Sequence, residues 1–338
     1  MNAILGRFGA AVLGLLAAGY LGTAANAQQF TMKISFPTIN DVTHEFFKTW
    51  KAGIERRAGG RLKVEIYPSN QLGQIPAVIE GVALGTIEVG GAASGFFTSL
   101  EPRFQVMDGL GIFDDIQHAY RVLTDPEIRA RLATWGADKG VELIVPGTYG
   151  QMTALAHKAI RTAADFHGQK IRTPGGSAIQ IEPFRKLGIL PVSLPLGEVL
   201  PAMQNRTIDG MVAAAAPFVA FKYYDIAKPM TYLPSTIFAA PILANRQFMK
   251  SLGPELEAIV REESRKAEAL FSDWNVADIK RAEEVWKKNG GEMVTLPPAE
   301  AKRYVDLVTP VATSILSANP KVKEDYEALL FAAAKYRQ

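Results

Sequence analysis

Two hydrophobic periods alternate along the chain. "FTMKISFP" (30–37) alternates residue by residue, as a strand does, and stops at Pro37. "DVTHEFFKTWKAGIERRAGG" (41–60) then sets Phe46, Phe47, Trp50 and Ile54 at helical spacing and ends on Gly59-Gly60. "RLKVEIYP" (61–68) returns to the strand period, with Leu62, Val64 and Ile66 on one face. "PAVIEGVALG" reads as a short helix, and "TIEVGGAAS" as a strand emptying into small residues. Strands and helices in alternation predict an α/β architecture with mostly parallel sheets.

The helix–turn–strand unit is echoed later. In "VIEGVALGTIEVGGAA" (78–93) and "VLPAMQNRTIDGMVAA" (199–214), Val78, Thr86, Ile87, Ala92 and Ala93 recur as Val199, Thr207, Ile208, Ala213 and Ala214, and Glu88 answers Asp209. Two similar lobes would follow. Ligands of open parallel sheets sit beyond the carboxyl ends of strands, so both small-residue loops would face one cleft. From 253 to 291 steps of three and four persist through Leu256, Ile259, Val260, Ala267, Phe271, Ala282 and Trp286, before Asn289-Gly290 stops the pattern. One helix running behind both lobes is the expectation; two helices broken near Asp273–Asp278 is the alternative.

The N-terminus stands apart from this pattern. Arg7 precedes the uncharged "FGAAVLGLLAAGYLGTAANA", which closes on Ala25-Asn26-Ala27. A basic start, an apolar middle and a small-x-small end predict a signal peptide cleaved after Ala27 and an exported chain; an uncleaved anchor is the rival. Arg7 is the only charge in residues 1–27, so cleavage takes the formal net charge from +3 to +2. That balance does not point to nucleic acid or an anionic membrane as partner. The chain has no cysteine, which excludes disulfides and thiol chemistry and leaves stability to the core.

Catalytic motifs are equally scarce. Beyond residue 27 there is no GxSxG, HExxH, P-loop or GxGxxG, and His44, His118, His157 and His167 stand singly without metal-ligand spacing. No enzyme activity, metal or cofactor is expected. His157 and His167 read as surface residues, Asp114-Asp115 as the N-cap of "DIQHAYRVL", and Asp209 as a turn residue or a brace for a basic group. One charge is harder to place. In "GQKIRTPGG" (168–176), Arg172 stands at a strand end before a Pro-Gly-Gly break. It could be solvated, ion-paired, a phosphate clamp or a hook for a carboxylate.

The exported start, "YPSNQLG" (67–73), "ALGTIEVG" (83–90), "GQKIRTPGG", "TIDG" (207–210), the long helix and "FKYYDIAKPMTYL" (221–233) together resemble the substrate-binding proteins of TRAP transporters, the DctP-like group. The resemblance covers the whole chain after residue 27. It implies a two-lobed, type II-like periplasmic binding protein with crossing strands and one long helix spanning both lobes. Residues 28–149 and 239–275 would form lobe I, and 150–238 and 276–338 lobe II, hinged near 149–150 and 238–240. It implies a small organic acid as ligand, membrane subunits of a sodium-driven carrier as partners, and Arg172 as the carboxylate hook. A sensing module serving a membrane receptor would share the same cleft.

Departures from the family pattern sharpen the expectation about the ligand. Gly150 is followed by Gln151 and Met152 where many members carry a second arginine, Leu196 stands where an aromatic is common, and Ala213 falls where an asparagine is usual. The resemblance therefore implies a monocarboxylate with an apolar or aromatic body, such as an arylglyoxylate, a mandelate-like or a cinnamate-like acid. Met152, Leu196, Ala213, Phe218 and Phe96 or Phe97 would contact that body. If the alignment slips by a residue or two, Gln151, Thr153, Asn40 and Thr38 would restore a site for a sugar acid, keto acid or dicarboxylate.

Overall fold

The computed structural model describes residues 30–337. The expected signal peptide, residues 1–27, lies outside the described residues. Eleven strands, numbered in chain order, form two sheets. The first has the order β2-β1-β3-β10-β4, from β1 (Phe30–Ser35), β2 (Leu62–Tyr67), β3 (Val89–Gly91), β4 (Val141–Val145) and β10 (Ile242–Asn245). The second has the order β11-β9-β5-β8-β6-β7, from β5 (Thr148–Ala156), β6 (Lys170–Thr173), β7 (Leu190–Ser193), β8 (Gly210–Ala213), β9 (Pro229–Ala239) and β11 (Glu292–Thr295).

Both sheets are mixed rather than mostly parallel. Five of the nine strand pairs are parallel, and every antiparallel pair involves β5 or β10. The cause is connectivity. β5 follows β4 directly into the second sheet and β9 leads straight back to β10, so the crossing strands run against their neighbours.

The helix over Val42–Ala58 forms as its spacing predicts. Asp41 accepts a hydrogen bond from the His44 N–H at 2.9 Å, Gly59 ends it in the left-handed region, and Phe46, Phe47, Trp50 and Ile54 are fully buried. The repeat is also real at the level of individual hydrogen bonds. Thr86 and Ile87 both donate to Gly81 O, and Thr207 and Ile208 both donate to Ala202 O. Glu88 accepts the Lys33 N–H at 2.7 Å, and Asp209 accepts the Lys170 N–H at 2.8 Å. Each acid thus pins the next parallel strand, β1 in one sheet and β6 in the other. Asp209 braces the backbone of Lys170, two residues before Arg172, and not a basic side chain.

The long helix is two helices, Gly253–Ala269 and Phe271–Lys288, meeting at the single residue Leu270. The seam lies ahead of the expected Asp273–Asp278, and Trp274 N–H still reaches Leu270 O at 3.1 Å across it. The first half packs on helix 42–58, where Trp50 Nε1 donates to Val260 O at 2.8 Å. The second half packs on β5 and the short helix Ala215–Ala220 and also ties the crossing region: Asn275 Nδ2 donates to Thr148 O, and Asp278 accepts the Val42 N–H. After Asn319 the chain returns once more. Helix Pro320–Tyr336 packs on the helices preceding β4, with Trp135 Nε1 on Asp325 and Lys335 and Tyr336 on Asp125. The expected division, with 276–338 wholly in the second lobe, does not include that return.

Asn275 is fully buried, so Asn275→Ala leaves Thr148 O without its donor. The variant should lose about 1–3 kcal/mol of stability, read as a lower urea midpoint at unchanged slope.

Candidate functional site

One cavity lies between the two sheets, enclosing ≈ 530 Å³ of empty space including its mouth. The duplicated small-residue loops meet there: Ala92 and Ala93 follow β3, and Ala213 ends β8. Pro37 and Pro174, which end β1 and β6, line it as well. The wall is otherwise apolar, from Phe36, Ile75, Phe96, Leu196 and Phe238 among others. Its polar side chains are Thr38, Thr43, Tyr149 and Arg172.

Arg172 is 2% exposed. Its Nε donates to Leu194 O at 2.8 Å and its Nη1 to Val212 O at 3.3 Å, while the Phe96 ring lies 6.0 Å from its guanidinium carbon. No carboxylate comes within 4.0 Å of it among the described residues. Burial pushes its pKa down to about 10, opposed by Tyr223, so the group stays charged at neutral pH. A buried cation held by two carbonyls and facing an apolar hollow lacks only an anion.

Of the other expected contacts, Leu196, Ala213 and Phe96 line the cavity with Arg172, and Met152, Gln151, Phe218 and Asn40 do not. Gly150, at φ +114°, opens a bulge: Thr148 pairs with Ala239 but Gln151 with Ile237. The extra residue changes which face each side chain takes. Tyr149 therefore reaches the cavity, Met152 enters the core and Gln151 donates to Leu233 O at 2.8 Å. Phe218 packs under the wall against Tyr223 and Trp286. Asn40 is exposed at φ +56°, its carbonyl taken by Arg281. Phe97 packs on Phe104, and Thr153 bonds back to Gln151 O. His157 is half-buried and braces Ile226 O and Met203 O, whereas His167 is exposed. Asp115 caps helix Ile116–Leu123, as its position predicts.

Tyr149 is the wall residue that sequence reasoning missed, and the glycine after it was the available signal. Its hydroxyl donates to Asp41, and burial followed by the Asp41 charge pushes its pKa far up. The phenol proton is thus committed away from the cavity. At the mouth, Gly95 and Gly175 meet backbone to backbone: a Cβ on Gly175, whose φ is +153°, would lie 2.7 Å from the Gly95 carbonyl carbon.

Comparison with known proteins agrees with this geometry. The sequence profile of DctP, "Bacterial extracellular solute-binding protein, family 7", matches residues 35–319. The 2,3-diketo-L-gulonate-binding periplasmic protein YiaO of Escherichia coli (strain K12) is 25% identical over 285 residues, covering 84% of this chain and 85% of its own. A TRAP periplasmic solute-binding protein from Desulfovibrio salexigens, solved with bound orotic acid, superposes with a TM-score of 0.85 at 24% identity, over 90% of this chain and 99% of that one. A sugar acid binding protein from Advenella mimigardefordensis, in complex with galactonate, gives 0.85 at 20% identity, over 92% and 99%. These neighbours share the two-lobed α/β fold, and they bind solutes rather than transform them. The chain belongs to the DctP family, bacterial extracellular solute-binding protein family 7, and is a binding protein, not an enzyme.

Proposed function

We propose that the chain is the periplasmic receptor of a sodium-driven TRAP carrier, and that Arg172 binds the carboxylate of a monocarboxylic acid with an apolar or aromatic body. The observation that carries the reading is the buried guanidinium without a counter-ion in an apolar cavity. A ligand carboxylate would meet its free N–H groups with charge-assisted hydrogen bonds and offset its desolvation.

The body of the ligand is read from what the wall withholds. Tyr149 has committed its proton to Asp41 and its oxygen to the Thr38 hydroxyl, which leaves the Thr43 hydroxyl and no second cation among the polar side chains of the wall. A polyhydroxylated acid would leave several hydroxyls unpaired, at about 1–3 kcal/mol each. An arylglyoxylate, mandelate-like or cinnamate-like acid would place a flat ring among Phe36, Phe238 and Leu196 instead. The orotic acid in the Desulfovibrio salexigens relative is a planar ring acid with one carboxylate, which favours a flat monocarboxylate, but its ring carries two N–H and two C=O groups and is not apolar. The galactonate and diketogulonate of the other relatives favour the sugar-acid alternative.

Binding would bring the lobes together about the crossings at 145–148 and 239–242, where Ala240 N–H donates to Gly147 O at 2.9 Å. The first lobe would then comprise the first sheet with its helices, including 320–336.

A thermal-shift screen of residues 28–338 against phenylglyoxylate, mandelate, cinnamate, galactonate and succinate tests the reading. A ligand at 100 times its Kd stabilises by about 2.7 kcal/mol. Phenylglyoxylate should shift wild type, and Arg172→Ala should weaken binding at least about 100-fold, or ~2.7 kcal/mol. A shift from galactonate or succinate alone would discard the apolar ligand and keep the hook. Unchanged affinity in Arg172→Ala would discard the hook.

Closure makes a separate prediction. A Cβ on Gly95 would lie 2.9 Å from Gln180 Cγ and 3.1 Å from Pro174 O, both across the mouth, and Gly95 is not in the left-handed region. Gly95→Ala should therefore spare the separated lobes and weaken ligand binding about tenfold, a cost within the 1–3 kcal/mol of overpacking. Calorimetric titration reads it.

A further inference from the structure

Outside the cavity lies a second hollow that the site described so far does not use. It is a groove enclosing ≈ 1430 Å³ of empty space, open solvent included. One side is the outer face of helix Ile75–Leu84, with Pro76, Ile79, Ala83 and Leu84. The other is built by residues between Gly95 and Pro102 and, from the second sheet's side, by 176–178. Leu84 is 73% exposed there, and Glu80 is the one ionisable side chain among the residues that line the groove. Such a surface suits a hydrocarbon chain better than a second charge.

Among the described residues, Phe96 alone lines both hollows. Its ring is 6.0 Å from the Arg172 guanidinium carbon and packs against both hydrophobic clusters of the core. The backbone beneath it is held on several sides. Phe96 N–H donates to Ala93 O at 3.0 Å, Thr98 Oγ1 donates to Gly95 O at 2.9 Å, and Ser94 donates to Asp108. Gly95, one residue earlier, has no free room even for a Cβ against Gln180 and Pro174. The duplicated frame carries the same position. Ala92 and Ala93 answer Ala213 and Ala214, so Phe96 answers Pro217, which also lines the cavity. Pro217 is buried, whereas Phe96 has the groove behind it.

We propose that Phe96 is the specificity-determining residue for ligand length: its ring partitions the cavity from the groove and confines the acid held by Arg172 to the cavity. The ligand role of Arg172 rests on the reading above. An acid anchored there by its carboxylate cannot run a chain past the ring without displacing it. Removing the ring joins the two hollows. A carboxylate on Arg172 then has an apolar path beside it, along Ile79, Leu84 and Leu100.

Titration calorimetry with two acids reads the partition: phenylglyoxylate, short enough for the cavity, and n-decanoate, which outgrows it. Wild type should bind phenylglyoxylate and take decanoate weakly. Phe96→Ala should bind decanoate at least about tenfold more tightly than wild type does, roughly the effect of two newly buried methylenes, and phenylglyoxylate more weakly. Adding Arg172→Ala to Phe96→Ala should remove the gain, which separates a chain anchored on the hook from decanoate adsorbed elsewhere. Phe96→Leu should fall between, and Phe96→Val answers in place of Phe96→Ala if that variant does not fold. Decanoate bound as tightly by wild type, no gain in a folded variant, or a gain that survives Arg172→Ala overturns the proposal. Failure of phenylglyoxylate on wild type discards the aromatic ligand, and the decanoate comparison still decides for Phe96.

Discussion

A guanidinium that has left water and met no carboxylate is the constraint on which the rest of the site depends. Such a group is tolerable only if its surroundings are rigid and its remaining donors have somewhere to point. Two carbonyls on neighbouring strands, Leu194 O after β7 and Val212 O on β8, hold the planar fork in place. β8 is tied to β6, the strand that carries Arg172, by the reciprocal Lys170–Asp209 bonds just upstream. A flexible loop could not hold the fork this way, because the charge would turn to solvent. The strand-end position of Arg172 is thus what makes burial of the charge possible.

The duplicated frame shows how the charge came to stand alone. "KISFP" (33–37) and "KIRTP" (170–174) occupy matching places on β1 and β6, each with its lysine N–H pinned by an acid and its proline in the cavity wall. Ser35 stands where the second copy has Arg172. Both sheets also share the order of their first five strands, with β2-β1-β3-β10-β4 answering β7-β6-β8-β5-β9. One copy brings a buried guanidinium to the cavity and the other brings no charge. A symmetric pair of arginines would bring two cations to the cavity; the frame as it stands brings one.

Much of this was legible in the sequence, because periodicity and repetition are local. The burial of Phe46, Phe47, Trp50 and Ile54, the helix–turn–strand echo and the strand-end position of Arg172 could all be read from short stretches; that no carboxylate meets Arg172 could not. Side-chain direction along β5 could not. It turns on the bulge at Gly150 and on a second irregularity, where β9 pairs Tyr232 with Thr153 and Ile237 with Gln151 across the intervening Pro234 and Ser235. Register is a property of two strands, and neither carries it alone. Phe218 was misplaced for a related reason: its partners, Trp286 and Tyr223, lie across a helix interface that the sequence does not announce. The packing of helix 320–336 on the helices that precede β4 is likewise fixed by distant partners, Trp135 and Asp125.

Isolation of Arg172 also has to be defended against the protein's own acids. Asp108 sits beside the turn that carries Phe96, and Phe96 lies on Arg172. A carboxylate in direct contact with the guanidinium would form a buried ion pair that a ligand would have to displace; neither group feels the other's charge. Breaking such pairs costs about 3–5 kcal/mol, enough to erase most of the affinity a single hook confers. Each group has its own neighbour. The Phe96 ring stands next to the cation and offers it a π face, which attracts without satisfying its donors. Ser94 engages the carboxyl from its own side, in an apolar setting that favours the neutral acid. A single unpaired cation in a cleft therefore requires more than removal of nearby anions. It requires that the remaining acid be kept occupied, and the turn from Ser94 to Phe96 does both tasks within three residues.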